Sequence, residues 1–151
     1  DSICKQKNQY KKEKENKGMN GYKAVVKESV KGLTAREKIA IKALNDVTEL
    51  NDLVTPEQAI MITIDNVVTV QVHNEKSDNQ DYNKYVYIDK DGTKYVSGSE
   101  PLYTTVKDIL SDIEDAIADG EMDETEDITI KVMKKESANY KGQTFLTAEL
   151  I

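Results

Sequence analysis

Residues 82–98 read YNKYVYIDKDGTKYVSG, and this stretch decides how the rest of the chain is interpreted. Val86 and Ile88 alternate with Tyr85 and Tyr87. Successive side chains of a β-strand point to opposite faces, so a strand formed here has one aliphatic side and one aromatic side.

A tight turn is predicted at Asp91-Gly92, because glycine adopts the positive φ that other residues resist. After the turn, Tyr95 and Val96 repeat the aromatic and aliphatic alternation, so the stretch predicts a β-hairpin. Aliphatic side chains are expected to face a core. The tyrosines are therefore predicted to face outward, toward a binding partner.

The remaining elements follow from apolar spacing and from helix caps. A capping box at Thr34 and Glu37 predicts a helix over residues 34–46. Its buried stripe is predicted to be Ile39, Ala40, Ala43, Leu44 and Val47. Further predictions are a long strand over residues 60–72 with a bend or bulge at Asp65-Asn66, a helix from Ser99-Pro101 to Gly120, and strands at 128–132 and 146–150.

This order of elements predicts a mainly β fold: an OB-fold-like five-stranded barrel with one helix between strands 3 and 4, preceded by an N-terminal helix. A ubiquitin-like or other α+β sheet is the alternative fold. Residues 32–151 are predicted to form this domain, including the helix at 34–46. Residues 1–31 are predicted to be a basic, flexible arm, with a short strand or extended segment through Tyr22, Ala24 and Val26 as the alternative for residues 21–30.

Charge is distributed unevenly along the chain. The net charge is -7, but residues 1–31 carry nine lysines against four acidic residues, 9 - 4 = +5, which leaves -12 for residues 32–151. An acidic body disfavours tight, indiscriminate binding to duplex phosphate, so a nucleic-acid site must be a local patch. The single cysteine, Cys4, excludes an internal disulfide, and no secretion signal or membrane span is visible. A cytoplasmic protein is expected.

Aromatic residues interleaved with lysines predict the site. Tyrosine and phenylalanine rings on an outer sheet face can stack on any base, whatever the sequence, while lysines contact phosphates. The predicted binding residues for single-stranded DNA lie on the hairpin, in the loop before it and around the last connection: Tyr82, Lys84, Tyr85, Tyr87, Lys94, Tyr95, Lys134, Lys135, Tyr140, Lys141 and Phe145.

Catalysis, cofactors and metals have little support in the sequence. The only histidine, His73, has no convincing nucleophile nearby, and Cys4 lies in a polar segment. Asp89 and Asp91 imitate part of a calcium loop, but the required first and twelfth ligands are absent. We therefore expect a non-enzyme without cofactor or metal.

Three stretches together resemble a known family: LTAREKIAIKALND (33–46), HNEKSDNQDYNKYVYIDKDGTKYVSGSE (73–100) and NYKGQTFLTAEL (139–150). They are similar to the small single-stranded-DNA-binding proteins of tailed phages that infect Gram-positive bacteria. The resemblance implies an OB-fold that protects or delivers single strands during replication or recombination in the host cytoplasm, with replication or recombination proteins as partners. The flexible acidic tail of many bacterial proteins of this function is not seen, so recruitment through such a tail is not expected.

The alternative function is an acidic, non-catalytic interaction module that binds a basic protein partner. In that case the aromatic face is the buried anchor of the interface. The sequence leaves open the preference for DNA or RNA and whether the chain forms a homodimer.

Overall fold

The computed structural model describes residues 21–151, so most of the predicted arm and Cys4 lie outside the described residues. Strands make up 43% and helices 24%, which confirms a mainly β fold. The described residues form seven strands and three helices rather than five strands with two helices. In chain order they are β1 Tyr22–Ser29, α1 Ala35–Lys42, β2 Val47–Glu49, α2 Leu50–Leu53, β3 Ile60–Asn74, β4 Asp81–Asp89, β5 Lys94–Ser97, α3 Glu100–Ala118, β6 Thr129–Glu136 and β7 Thr144–Leu150.

The strands form one curled, half-barrel sheet with the order β2-β5-β4-β3-β6-β7. The predicted hairpin is present as β4 and β5, with Gly92 at φ 94° in its turn. Every neighbouring pair is antiparallel except β2 and β5, which are parallel. The long strand β3 also pairs with β1, because its first residues pair with β6 and its last residues with β1.

The predicted bulge in β3 is confirmed and determines which side chains face inward. The pairing register with β4 shifts between Ile64 and Asn66. An extra residue in a strand moves all later side chains to the opposite face, since the side-chain period is 2. Before the shift, Ile62 and Ile64 pack inside the curl, whereas Val68 and Val70 pack on its outer side.

Asn66 holds the bulge by hydrogen bonds to the backbone. Its Oδ1 accepts from the backbone N–H of Lys31 and of Val67, both at 2.9 Å, and its Nδ2 donates to the Lys31 carbonyl at 3.2 Å. The side chain is buried, and Lys31 also forms a salt bridge to Asp65 at 3.1 Å. The bulge is thereby fixed to the connection between β1 and α1.

Both faces of the sheet are covered, and each has its own core. Inside the curl, α3 packs on strands from both ends of the sheet. The largest buried members of this inner cluster are Tyr87, Leu50, Ile62, Leu102, Ile130, Val54, Val67 and Val106. The outer cluster lies beneath β1 and α1 and consists of Ile41, Val68, Val70, Val72, Val86 and Val96.

The predicted outward orientation of the tyrosines is wrong. Tyr85 and Tyr87 do lie opposite Val86, but they face the inner cluster and are 4% and 0% exposed. The sequence separates the two faces without saying which one the curl encloses. The tyrosines face the inner cluster, and β1 and α1 cover the aliphatic face, so both faces of this strand are buried.

Two boundaries near the N-terminus also differ from the predictions. The predicted arm extends too far, because Tyr22–Ser29 form a strand paired with β3. The first helix ends at Lys42 rather than at residue 46, since Leu44 and Asp46 take left-handed φ values of 53° and 57°. Its capping box at Thr34 is present.

The predicted apolar stripe of α1 is wrong in part: Leu44 and Val47 do pack, partly buried, against the outer cluster, but they lie beyond the end of the helix. Ile39 is 60% exposed, and Ala40 and Ala43 are exposed as well, whereas Ile41 is the buried residue of this helix. With so few buried side chains, α1 lies on the sheet rather than being embedded in it. None of the helices within residues 21–151 is both long enough and apolar enough to cross a membrane.

Candidate nucleic-acid interface

Five of the predicted binding residues lie together on the β6–β7 hairpin. We call them the hairpin patch: Lys134, Lys135, Tyr140, Lys141 and Phe145. Tyr140 is 64% exposed and Phe145 is 39% exposed, so both rings are open to a ligand. Lys135 is directly opposite Phe145 in the antiparallel register, which places an ammonium group beside a ring.

Charge at this hairpin differs in sign from the net charge of residues 21–151 as a whole. Residues 131–145 contain four lysines and one glutamate, 4 - 1 = +3, whereas residues 21–151 as a whole carry 15 - 25 = -10. None of the ion pairs among the described residues involves these four lysines. The hairpin is thus a local cationic patch on an acidic body, which is the arrangement that phosphate binding requires.

Two clefts meet at Gly98, directly before helix α3, and we call them together the Gly98 trench. The first has a volume of about 380 Å³ and runs from Gly98 to Lys134 and Phe145. The second, also about 380 Å³, runs from Gly98 to the start of β4 at Asn83 and to Lys27 on β1. The trench therefore leads from the hairpin patch toward the loop between β3 and β4.

Lys134 stands at the hairpin end of this trench. It occupies the same side of β6 as the buried residues Ile130 and Val132, but beyond them, where the inner face opens. Its Nζ donates to the carbonyl of Asn51 at 3.4 Å, a long hydrogen bond that leaves the ammonium group free to contact a ligand.

The sequence analysis did not identify the polar residues at the other end of the trench. Gln71, Asn79 and Asn83 line the second cleft together with the acidic residues Asp81 and Glu100. Side-chain amides donate and accept hydrogen bonds, so they fit the edges of bases. No local signal marks them, because they come from different strands and a loop that only the fold brings together.

Three predicted residues belong to the protein interior instead. Tyr85 stacks on Tyr103 of α3 with ring centroids 4.0 Å apart, and burial raises the pKa of Tyr87 strongly. Tyr95 packs partly buried against the same inner cluster, and burial and then Asp89 raise its pKa. In this fold Tyr85 and Tyr87 are not available to stack on bases.

Tyr103 explains how these rings are held. Its hydroxyl donates to the Glu28 carboxylate of β1, while Lys107 Nζ lies 6.0 Å from the centre of its ring. Burial first, and the bond to Glu28 second, raise the pKa of Tyr103 to about 12. Tyr103 thus attaches α3 to both β4 and β1, a structural role that sequence spacing did not indicate.

The last three predicted residues, Tyr82, Lys84 and Lys94, lie on the outer side of the sheet. Their positions on β4 and β5 share a face with Val86 and Val96. Tyr82 and Lys84 were expected in a loop, but β4 already begins at Asp81. Lys135 and Phe145 of the hairpin patch also lie on the outer side of the sheet, and Tyr82 lines the second cleft of the Gly98 trench.

His73 pairs with acidic neighbours. Its Nδ1 lies 2.8 Å from Asp81 Oδ1, and this hydrogen bond raises the pKa of the imidazole above its ordinary value. Within residues 21–151 no group of three or more histidine, cysteine, aspartate or glutamate residues is arranged to hold a metal ion.

Neither a family model, nor a curated protein, nor a solved structure matches this chain. The functional argument therefore depends on the geometry of the hairpin patch and the Gly98 trench.

Proposed function

We propose that the protein binds single-stranded nucleic acid, with DNA as the first ligand to test, through the hairpin patch and the Gly98 trench. One observation carries the proposal: three lysines and two open rings converge on a single hairpin of an otherwise acidic molecule. Rings that stack on bases and ammonium groups that contact phosphates are the two components of a single-strand groove.

The order and pairing of the strands support the same proposal. We infer that β3 to β7 correspond to the five strands of an OB-fold, with α3 between the third and fourth of them. Among the described strands β5 and β7 are not paired with each other, and β2 pairs with β5 instead, so this barrel is open on one side. The first cleft of the trench lies between the ends of β5 and β7.

The bound strand takes a path that differs from the tyrosine platform expected from the sequence. Bases stack on Phe145 and Tyr140, and the backbone follows Lys134, Lys135 and Lys141. The strand then passes Gly98 toward the amide-lined cleft. No chemical step is involved, so the proposal is a binding protein rather than an enzyme.

The stacking part of the proposal is tested by fluorescence anisotropy with a labelled oligothymidine. We expect Phe145→Ala to weaken binding about tenfold, because stacking on one base is worth roughly 1–3 kcal/mol. Tyr87→Phe is the matched control: it changes an aromatic residue that the fold buries, so affinity should not change. Equal affinities of Phe145→Ala and the unchanged protein would refute the stacking role.

The trench is tested by filling it. A Cβ placed on Gly98 comes no closer than 3.9 Å to the Asn83 carbonyl oxygen, and its φ lies outside the left-handed region, so the fold accepts a side chain there. Gly98→Leu should retain its thermal stability and bind oligothymidine at least about tenfold more weakly. Gly32→Leu, at a glycine with no atom within 4 Å of such a Cβ, is the control. Normal binding by Gly98→Leu would exclude this path.

Binding of a basic protein partner is the second candidate function, and one observation favours it. Residues 108–127 contain ten acidic residues and no lysine or arginine. If this is the function, a cationic protein such as a histone-like probe should bind in a salt-sensitive manner, and single-stranded oligonucleotides should show no binding.

A further inference from the structure

The outer face of β6 and of the first residues of β3, 60–63, is not covered by β1 or α1, which lie over the later part of β3. Ile130 and Val132 face the inner cluster, so Lys131 and Met133, which alternate with them, face outward. Met61 is directly opposite Lys131 in the register and is 56% exposed. We call Met61, Lys131, Met133 and Lys135 the outer lysine face, which shares Lys135 with the hairpin patch.

A cavity of about 400 Å³ lies at this face. Its wall is the turn at residues 55–58, closed by hydrogen bonds of 3.0 and 3.1 Å between Thr55 and Gln58. Lys131, Met133, Lys134 and Lys135 line it from the strand side, and, within the described part of the chain, Glu57 is its one acidic lining residue. Methionine side chains are flexible and adapt to varied partners, so a cavity of this composition suits a surface that combines apolar and acidic groups.

The chain carries a surface of opposite charge. Residues 108–127 have a net charge of -10, and their acidic side chains are exposed. Among the described residues, Asp127 is the only one of these ten carboxylates in an ion pair, with Lys90 at 2.6 Å. The last turn of α3 contains no basic residue, so its acidic side chains add to the negative end of the helix.

One molecule cannot bring these two surfaces into contact with each other. Helix α3 packs through Leu102, Val106 and Ile113 on the inner side of the curled sheet, and the outer lysine face is on the other side. Within residues 21–151, these two surfaces can therefore meet only between molecules.

We propose that the outer lysine face docks the acidic segment 108–127 of a second copy of this chain. The two contacting surfaces differ, so the contact is heterologous, and a pair of molecules keeps one acidic segment and one outer lysine face free. Such contacts continue into rings or open chains. Most of the contacting charges are exposed, so the association is strongly sensitive to salt. This inference does not depend on nucleic-acid binding.

Sedimentation velocity on the 151-residue chain tests the proposal. At low ionic strength the sedimentation coefficient should increase with protein concentration, and at about 1 M salt, where the Debye length is about 3 Å, it should become constant. A coefficient that is constant with concentration at low salt would overturn the proposal.

Two variants identify the surfaces. Met61→Glu with Lys131→Glu removes the docking face, and Asp112→Lys with Asp115→Lys removes the acidic partner surface. All four positions lie outside the hairpin patch and the trench, so each variant should bind oligothymidine within about twofold of the unchanged protein when both are dilute enough to be monomeric. A failure of DNA binding and a failure of self-association are thus separate results.

Each variant alone should remain monomeric, because it lacks one of the two surfaces. An equal mixture should form a one-to-one complex and nothing larger, since each variant supplies the surface that the other lacks. Self-association that persists in either variant, or a mixture that stays monomeric, would overturn the proposed contact.

Discussion

Replacing Asn66 with alanine tests whether a side-chain clamp holds the bulge that orients the tyrosines. The substitution removes three hydrogen bonds, two to backbone N–H groups and one to the Lys31 carbonyl. Each is worth about 1 kcal/mol net, which gives an upper limit of about 3 kcal/mol. The Lys31 groups are only partly buried, so water recovers some of this, and we expect a loss of about 2 kcal/mol.

Urea unfolding followed by circular dichroism measures this loss. With a slope typical of small proteins, 2 kcal/mol moves the midpoint down by about 1 M. Lys31→Ala serves as a control, because it removes only the exposed salt bridge to Asp65 and should cost less than about 0.5 kcal/mol. Asn139→Ala, at an exposed loop position, should be neutral to a similar degree.

A loss below about 0.5 kcal/mol in Asn66→Ala would refute the reasoning. It would mean that packing of the inner and outer clusters alone keeps the bulge in place, so the amide is not required. A loss equal to that of Lys31→Ala would lead to the same conclusion. Unchanged urea slopes are expected in all three variants, since none alters the surface exposed on unfolding.

Three further predictions concern stability and pH. Tyr87→Phe should raise the free energy of unfolding by about 1 kcal/mol in the same urea assay, because the buried Tyr87 hydroxyl has no hydrogen-bond partner among residues 21–151; a decrease would show that the hydroxyl is satisfied. Ser99→Ala should lower the free energy of unfolding by about 1 kcal/mol, since the Ser99 hydroxyl accepts a hydrogen bond from the backbone N–H of Leu102 at the start of α3. An unchanged melting temperature would count against this cap. By NMR, the His73 imidazole should titrate above its ordinary value of 6.5, because its hydrogen bond to Asp81 raises its pKa. The stabilisation that His73 contributes is then complete below its pKa in the unfolded state and is lost as pH rises through its pKa in the folded state. Asp81→Asn should return the titration toward 6.5.

Local patterns predicted most of the secondary structure correctly. The hairpin turn at Gly92 and the cap of α3 at Ser99 each depend on neighbours within a few residues, which the sequence displays directly. The same holds for the hairpin patch, since residues 134–145 are close along the chain as well as in space. The position of the bulge near Asn66 was also predicted from the sequence, although its hydrogen bonds to Lys31 join residues far apart in the chain.

The sequence by itself determined that Tyr85 and Tyr87 share a face opposite Val86, because side-chain alternation is a local property of a strand. Only the tertiary structure decided which face the curl encloses. The bulge moves Val68 and Val70 to the outer side, and β1 with α1 then covers the aliphatic residues while α3 covers the rings. These contacts join residues far apart in the chain. The alternation of side chains within a single strand carries no information about such contacts. The orientation of the tyrosines and the Gly98 trench are therefore visible only in the tertiary structure.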